Sequence, residues 1–404
     1  MFVNSPNEQR RNGRGQGMLR AHNTAAVLHL IWAGSYSRAD LARSTGLSRS
    51  TVTGIVGELL QVGVVQESST QSSGGRPSIL LRLKERVRLL VGIEMGASHI
   101  STVLTDLQGE FLASRSEAVD VQGKPGLAMD CMQRHIQETL QELGLGTSAL
   151  AGIGLAVPCP LADGDVLDPH ILPLWRGIRP AAVLRARFAV PVMMDNDANL
   201  GALAELWWGA GREVGDFSYI KLATGVGAGQ IINGQVYRGS GGIAGEIGHT
   251  AIDANGPLCR CGLKGCLEAM VGREALERRV GTDLETLLAN ANAGDPASIR
   301  AIADAGTYMG IAVANLLNLM NPARVILGGA LTRAGDLLLK PLMQAVEARA
   351  LFSTVESSRV VLSQIGPHAV AKGAATLVLQ AALNDHSLLT PMPAMAGAQT
   401  EALQ

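Results

Sequence analysis

The chain has 404 residues, 47% hydrophobic and 17% charged, which excludes fibrous, collagen-like and wholly disordered chains and predicts about two to four domains at roughly 100 to 200 residues each. Only 13 residues are aromatic while 48 are Gly, so the cores are expected to be Ala, Val, Leu and Ile around many tight turns, as in an α/β body. Residues 1–88 hold twelve Lys and Arg against five Asp and Glu, a net of +7, leaving −8 on the remainder; such a basic head suits a polyanion partner or is a solvated basic surface, and pattern has to decide.

No run reaches the ~18 apolar residues that a membrane span needs; the longest candidate, around 311–331, is broken by Asn315, Asn318, Asn321, Pro322 and Arg324. Residues 1–16 read as a flexible basic terminus without the apolar region of a signal peptide, and a cytoplasmic protein is expected. Five Cys is an odd count, with Cys259, Cys261 and Cys266 crowded together, a pattern that suits a metal site better than a disulfide framework. Cys131 and Cys159 read as ordinary buried thiols.

Residues 17–88 read as a winged helix-turn-helix. Ala26, Val27, Leu30 and Ile31 give a helix over residues 22–33 one apolar face. Ser37 is placed to cap a short second helix with Leu41 and Ala42 inward, Gly46 supplies the turn, and Ser48 caps a third. In that third helix Val52, Ile55, Val56, Leu59 and Leu60 share one face, leaving Arg49, Ser50 and Thr53 on the other. Arg reads guanine edges bidentately and short hydroxyls meet bases or phosphates, so Ser48, Arg49, Ser50 and Thr53 are the candidate major-groove contacts. Strands at 64–67 and 79–83 flank a long tip, in which Arg76 between Gly75 and Pro77 forms a slim arm suited to a minor groove.

From residue 89 the chain reads as a two-lobed body to about residue 384, followed by a tail, 385–404, expected to be disordered. A strand, a turn at Gly96, Ala97 and Ser98, a second strand, a turn at Gln108-Gly109 and a third strand form the meander that opens actin-like folds; the first turn is either a phosphate loop or a plain hairpin. A helix over 127–143 and a buried strand at 152–157 follow. Asp195, Asn196, Asp197 and Asn199 then crowd a strand-to-helix junction, where they either bind hydroxyls, with a carboxylate within reach as a general base, or cap the helix. Thr224, Gly225, Gly227 and Gly229 form a second glycine turn with the same two readings as the first. The sharpest pattern is GEIGHTAIDANGPLCRCGLKGCLEA: His249, Cys259, Cys261 and Cys266 supply one imidazole and three thiolates, a closed set for a structural tetrahedral Zn²⁺. Glu246 and Glu268 bracket it, so the metal is expected to fix the loop that presents them to a ligand.

With Glu246, Gly248, His249, Cys259, Cys261, Gly262, Gly265, Cys266 and Glu268 in this order, the chain from about Gly17 to about Leu383 resembles the ROK family of sugar-responsive repressors and sugar kinases. The resemblance implies a zinc knuckle within residues 249–266 and sugar contacts from Asn196, Asp197, Glu246, His249 and Glu268, with Asp197 at the catalytic-base position of the kinases. It also implies a homodimer or homotetramer. Repressors of the family, such as those of xylose and N-acetylglucosamine operons, carry a winged helix with a G-G-R-P-like wing, here Gly74, Gly75, Arg76 and Pro77. Kinases usually open with D-x-G-G-T; this chain has Glu94, Met95, Gly96, Ala97 and Ser98 instead, a longer carboxylate and an added methyl that should crowd a triphosphate and displace its metal. The expectation is therefore a repressor of carbohydrate genes that binds pseudo-palindromic operator DNA and releases it to a sugar, the alternative being an ATP-dependent sugar kinase with an appended DNA-binding head.

Overall fold

A computed structural model describes residues 6–69, 79–84, 88–161, 167, 171–351 and 359–390. The head opens with α1 (Pro6–Ala33), β1 (Tyr36–Ser37), α2 (Arg38–Thr45) and α3 (Arg49–Gln61), and closes with the wing strands β2 (Val65–Ser69) and β3 (Ile79–Leu83). The Ser37 hydroxyl accepts from the Asp40 N–H while the Asp40 carboxylate accepts from the Ser37 N–H at 3.1 Å, a capping box that starts α2. Gly46 ends that helix at φ 71°, and the Ser48 hydroxyl accepts from the Thr51 N–H to start α3. Val52, Ile55, Val56 and Leu59 are buried, as their spacing requires. Leu60 of the same apolar set is only partly buried.

One boundary and one strand of the head differ from expectation. Helix α1 begins at Pro6 instead of near His22, so the stretch read as a flexible terminus is helical from that residue onward. Its Glu, Gln and Arg residues are good helix formers, but they carry no apolar stripe for a periodicity reading to detect. The two-residue β1, too short for any pattern, pairs with β3 and makes the wing a three-stranded sheet of order β1-β3-β2. Arg76 and the rest of the wing tip lie outside the described residues.

The body repeats one topology twice. The first lobe holds β4 (Leu89–Met95), β5 (His99–Thr105), β6 (Phe111–Ala118), α4 (Pro125–Glu142), β7 (Leu150–Val157), α5 (Pro180–Phe188) and β8 (Val192–Asn196). Helix α6 (Asp197–Trp208) leads to the second lobe: β9 (Phe217–Leu222), β10 (Val226–Ile232), β11 (Gln235–Tyr237), α7 (Leu267–Val271), α8 (Arg273–Val280), α9 (Leu284–Asn292), α10 (Pro296–Met320), β12 (Arg324–Gly328), α11 (Asp336–Glu347) and β13 (Val360–Leu362). The sheet orders are β6-β5-β4-β7-β8 and β11-β10-β9-β12-β13. In each, an antiparallel meander of three strands is extended by two parallel strands. This is the two-lobed α/β architecture that the opening meander predicted. Among the described residues no helix is long and apolar enough to cross a membrane.

The last helix, α12 (Ala369–Asn384), returns to the first lobe and joins head to body. Its Ala371, Ala375, Val378, Leu379, Ala382 and Leu383 share one core with Val27, Leu28 and Ile31 of α1 and with Leu90 and Val103 of the first sheet. The head is therefore packed onto the first lobe by a continuous apolar core. Beyond α12 the expected disorder does not set in at residue 385. Leu389 is fully buried, and the buried Arg88 guanidinium donates to the carbonyls of Leu389 and Thr390. A lone Leu-Leu pair in a polar tail gave no sign of this anchorage.

Candidate functional site

A cleft of about 780 Å³, partly open to solvent, separates the lobes and collects most of the residues singled out above. Asn196, Asp197, Glu246, His249 and Glu268 all line it, and so do Gly96, Ala97, Thr224, Gly225 and Gly227.

The α6 junction sorts its polar residues into distinct roles. Asn196 is the N-cap: its Oδ1 accepts from the Ala198 N–H at 2.9 Å and the Asn199 N–H at 3.3 Å. That is the capping reading, and it leaves the amide nitrogen for the cleft. Asp195 is structural, accepting from the Asn199 side chain at 3.1 Å and from the Arg238 guanidinium at 3.0 Å, a tie between β8 and the end of β11. Asp197, the first residue of α6, turns to Lys221 of β9, whose Nζ donates to Asp197 Oδ2 at 2.8 Å and to Glu94 Oε1 at 2.6 Å. Burial pushes the Glu94 carboxyl up, but the ammonium and the His99 ring outweigh it and hold the group down at about 2. Burial pulls the other way on Lys221, yet Asp197 and Glu94 keep its pKa above the ordinary lysine value.

The first glycine segment is a hairpin turn, one of its two readings, whereas the second is only partly a turn. The second turn occupies residues 223–225, and Gly227 and Gly229 lie within β10. A Cβ on Gly229 would stand 2.3 Å from the Ala198 carbonyl oxygen, so this glycine lets the first turn of α6 sit directly on β10. At the first turn Gly96 N–H donates to the His99 carbonyl at 3.0 Å, closing a hairpin, and the His99 ring fills the space where a Cβ on Gly96 would go.

The knuckle is built on backbone contacts. Cys259 N–H donates to the Leu263 carbonyl, Gly262 N–H to the Cys259 carbonyl and Gly265 N–H to the Pro257 carbonyl. Gly265 has φ 73°, and a Cβ there would overlap the Asp253 carbonyl oxygen, so no other residue fits. The ligand atoms of His249, Cys259, Cys261 and Cys266 all lie within 4.8 Å of one another. The Cys261–Cys266 sulfurs are 3.6 Å apart, and Cys259 Sγ is 3.7 Å from His249 Nδ1. These spacings match the edge, about 3.8 Å, of a tetrahedron of sulfurs around a metal at 2.3 Å, so the cluster can hold a metal ion. With Nδ1 toward the sulfurs, His249 Nε2 points to the Glu246 carboxylate, 4.0 Å away. Burial pushes the Glu246 carboxyl up, against the pull of His249. Glu268 is buried, accepts from the Val226 N–H at 2.9 Å and is gripped by Arg260 at 2.6 and 3.2 Å.

Lys221, Arg260 and His99 are cleft residues that the sequence reading passed over. Lys221 carried a signal, being the one charge in the strand SYIKL just before a glycine turn. Arg260 carried none, because its place between Cys259 and Cys261 drew attention to the sulfurs. Elsewhere Cys131 and Cys159 are buried. Cys131 Sγ lies 3.5 Å from His135 Nε2, which also faces Glu117. Burial pushes that thiol up and that imidazole down, so both stay neutral, and Glu117 is engaged by Arg134.

On the head, Ser48, Arg49, Ser50 and Thr53 are exposed on one end of α3. The Ser48 hydroxyl bonds those of Ser50 and Thr51, and the Thr53 hydroxyl donates to the Arg49 carbonyl, whereas Arg49 projects into solvent.

The knuckle, the α6 junction and the paired sheets fall inside one matched segment: residues 90–381 fit the model of the ROK family. The chain belongs to the ROK family. The xylose repressor of Bacillus subtilis is 32% identical over 352 residues, covering 85% of this chain and 91% of that protein. The crystal structure of a ROK family transcriptional regulator, a homologue of the E. coli MLC protein, matches with a TM-score of 0.78 at 25% identity over 92% of this chain and 98% of that one. A ROK family glucokinase from Streptomyces griseus, solved with glucose and AMPPNP, matches with a TM-score of 0.63 at 25% identity over 72% of this chain and 98% of its own. The ROK body is thus common to regulators and kinases, while the match to the regulator spans more of this chain.

Proposed function

We propose that the chain is a sugar-responsive repressor of carbohydrate genes, with a winged head that holds operator DNA and a cleft whose occupation by a sugar releases it. The observation that carries this reading is the course of α6. Its first turn brings Asn196 and Asp197 into the cleft, and its last turn, about 18 Å away, brings Trp207 and Trp208 against Trp32 of α1, with ring centroids 4.8 and 5.9 Å from Trp32. One rigid element therefore touches both the sugar site and the DNA-binding head. Trp32 Nε1–H donates to the Leu107 carbonyl and Trp208 Nε1–H to the Thr376 hydroxyl, each at 2.7 Å, so the joint is fixed on both sides.

In this reading Asn196, Asp197, Glu246, His249 and Glu268 bind sugar hydroxyls, and a structural Zn²⁺ on His249, Cys259, Cys261 and Cys266 holds the second-lobe residues in place. The chain works as a homodimer or larger homo-oligomer on a two-fold operator, because a helix-turn-helix pair reads half-sites one helical turn or a multiple apart. Arg49 enters the major groove beside Ser48, Ser50 and Thr53, and Arg76 of the wing enters the minor groove. The kinase alternative is weakened because Glu94 and Asp197, the carboxylates it needs, are both committed to Lys221. Thr224, Gly225 and Gly227 then serve the packing of α6 and the cleft wall rather than a nucleotide.

The test is operator binding. Arg49→Ala is expected to weaken it by about 1 to 3 kcal/mol in a gel-shift titration at fixed salt, with sugar release intact in the residual complex. Unchanged affinity would remove α3 as the reading helix.

A further inference from the structure

The floor of the cleft is built around a cation that belongs to the chain. Lys221, Glu94 and Asp197 come from three elements, β9 of the second sheet, β4 of the first and the start of α6, and their side chains are 9%, 5% and 15% exposed. The nitrogen lies 2.6 Å from one carboxylate oxygen and 2.8 Å from the other. Those two oxygens are therefore no more than 5.4 Å apart, close to the roughly 4 to 5 Å that two oxygen ligands of one divalent ion span. Without the ammonium, two buried carboxylates would face each other with only the half-exposed His99 ring, 3.8 Å from Glu94, beside them, and such a pair takes up either a proton or a cation. Nucleotides enter phosphoryl-transfer sites with Mg²⁺ held by one or two carboxylates together with the phosphates. Here both carboxylates are taken.

We propose that Lys221 is a resident cation which fixes Asp197 as a hydrogen-bond acceptor for an uncharged sugar and excludes a divalent metal, with its nucleotide, from the cleft. One oxygen of Asp197 is held by the ammonium and the other remains for a sugar hydroxyl, so the residue is placed to orient the ligand. Because the ammonium reaches from one sheet to the other, it also links the lobes at the base of the cleft, where a bound sugar has to act. The sugar half of this inference rests on the reading of the cleft as a sugar receptor; the metal half does not.

The experiment uses the full-length zinc-loaded protein with Mn²⁺ as the probe, followed by electron paramagnetic resonance, and D-xylose and D-glucose followed by calorimetry. Wild type is expected to bind neither Mn²⁺ nor Mn²⁺·ATP in the cleft. Lys221→Met should gain one Mn²⁺ per chain, Glu94→Gln added to it should abolish that site, and Lys221→Arg, which keeps a charge, should stay metal-free. Whichever sugar binds wild type should bind Lys221→Met about tenfold or more weakly, as expected for losing a charged hydrogen-bond partner, with partial rescue in Lys221→Arg. Mn²⁺·ATP binding to wild type that competes with sugar would overturn the proposal, whether or not the variants fold. A folded Lys221→Met that gains no metal would overturn it as well. If neither sugar binds wild type while the Mn²⁺ pattern holds, the receptor reading fails and the resident cation stands.

Discussion

Cys261→Ala is expected to lose the metal ion and, with it, the response to sugar. The knuckle places three cleft residues at once: His249 turns one nitrogen to the Cys259 sulfur and the other to Glu246, Arg260 sits between two of the cysteines, and Glu268 follows two residues after Cys266. Structural zinc sites supply folding free energy directly, on the order of 10 kcal/mol in small zinc peptides, and a three-ligand remnant does not keep a closed tetrahedral shell. The wild type should contain one zinc per chain by elemental analysis and the variant little or none. Sugar affinity should fall on the order of 100-fold, comparable with the losses seen when a site is misplaced by about 1 Å, while operator affinity stays near wild type because the head packs on the opposite lobe. Cys131→Ala, which removes a thiol outside the cluster, should keep both metal and response. Full zinc content in the Cys261 variant would show that the thiolate is not a ligand.

The second large effect is expected at the aromatic joint. Trp207→Ala removes a ring that lies 4.8 Å from Trp32 and 6.1 Å from Trp208. Aromatic truncations of this kind cost about 3 to 5 kcal/mol in well-packed sites, so the variant should melt earlier. Its sugar affinity and its operator affinity, each measured alone, should nevertheless stay close to wild type, since Trp207 lines neither site. What should vanish is the coupling between them, typically about 1 to 3 kcal/mol or 5- to 150-fold in affinity. Three of the four tryptophans, Trp32, Trp207 and Trp208, form this joint, and the fourth, Trp175, is buried in the first lobe. Intrinsic fluorescence should therefore change when sugar binds wild type and respond far less in the variant. A variant that still releases operator normally would exclude the joint from the signal path.

Much of this organisation was legible in the sequence because it rests on local chemistry. The caps at Ser37 and Ser48, the turn at Gly46 and the apolar face of α3 are set by neighbours within four residues, and the knuckle is announced by ligands packed into a short segment. The parts that were missed depend on distant partners. Lys221 takes its meaning from Glu94, 127 residues earlier, and the Trp32 joint closes only when α1 docks beside α6. Gly227 and Gly229 were read with the turn because a glycine in a strand looks like a glycine in a loop until the helix packed upon it is known. The polar beginning of α1 was invisible for the opposite reason, since a helix without an apolar stripe has no period to detect.

Sugar in the cleft and DNA on the head are expected to oppose each other through one structure. By linkage, if sugar weakens operator binding by some factor, operator must weaken sugar binding by the same factor. The most direct measurement titrates the sugar by calorimetry into free protein and into the protein saturated with an operator duplex selected from a random pool. Both titrations are run at one salt concentration, because DNA affinity depends steeply on salt. Sugar is expected to bind more weakly in the complex, by roughly 5- to 150-fold, matched by the loss of operator affinity in saturating sugar. Equal sugar affinities in the two titrations, or tighter binding in the complex, would contradict it.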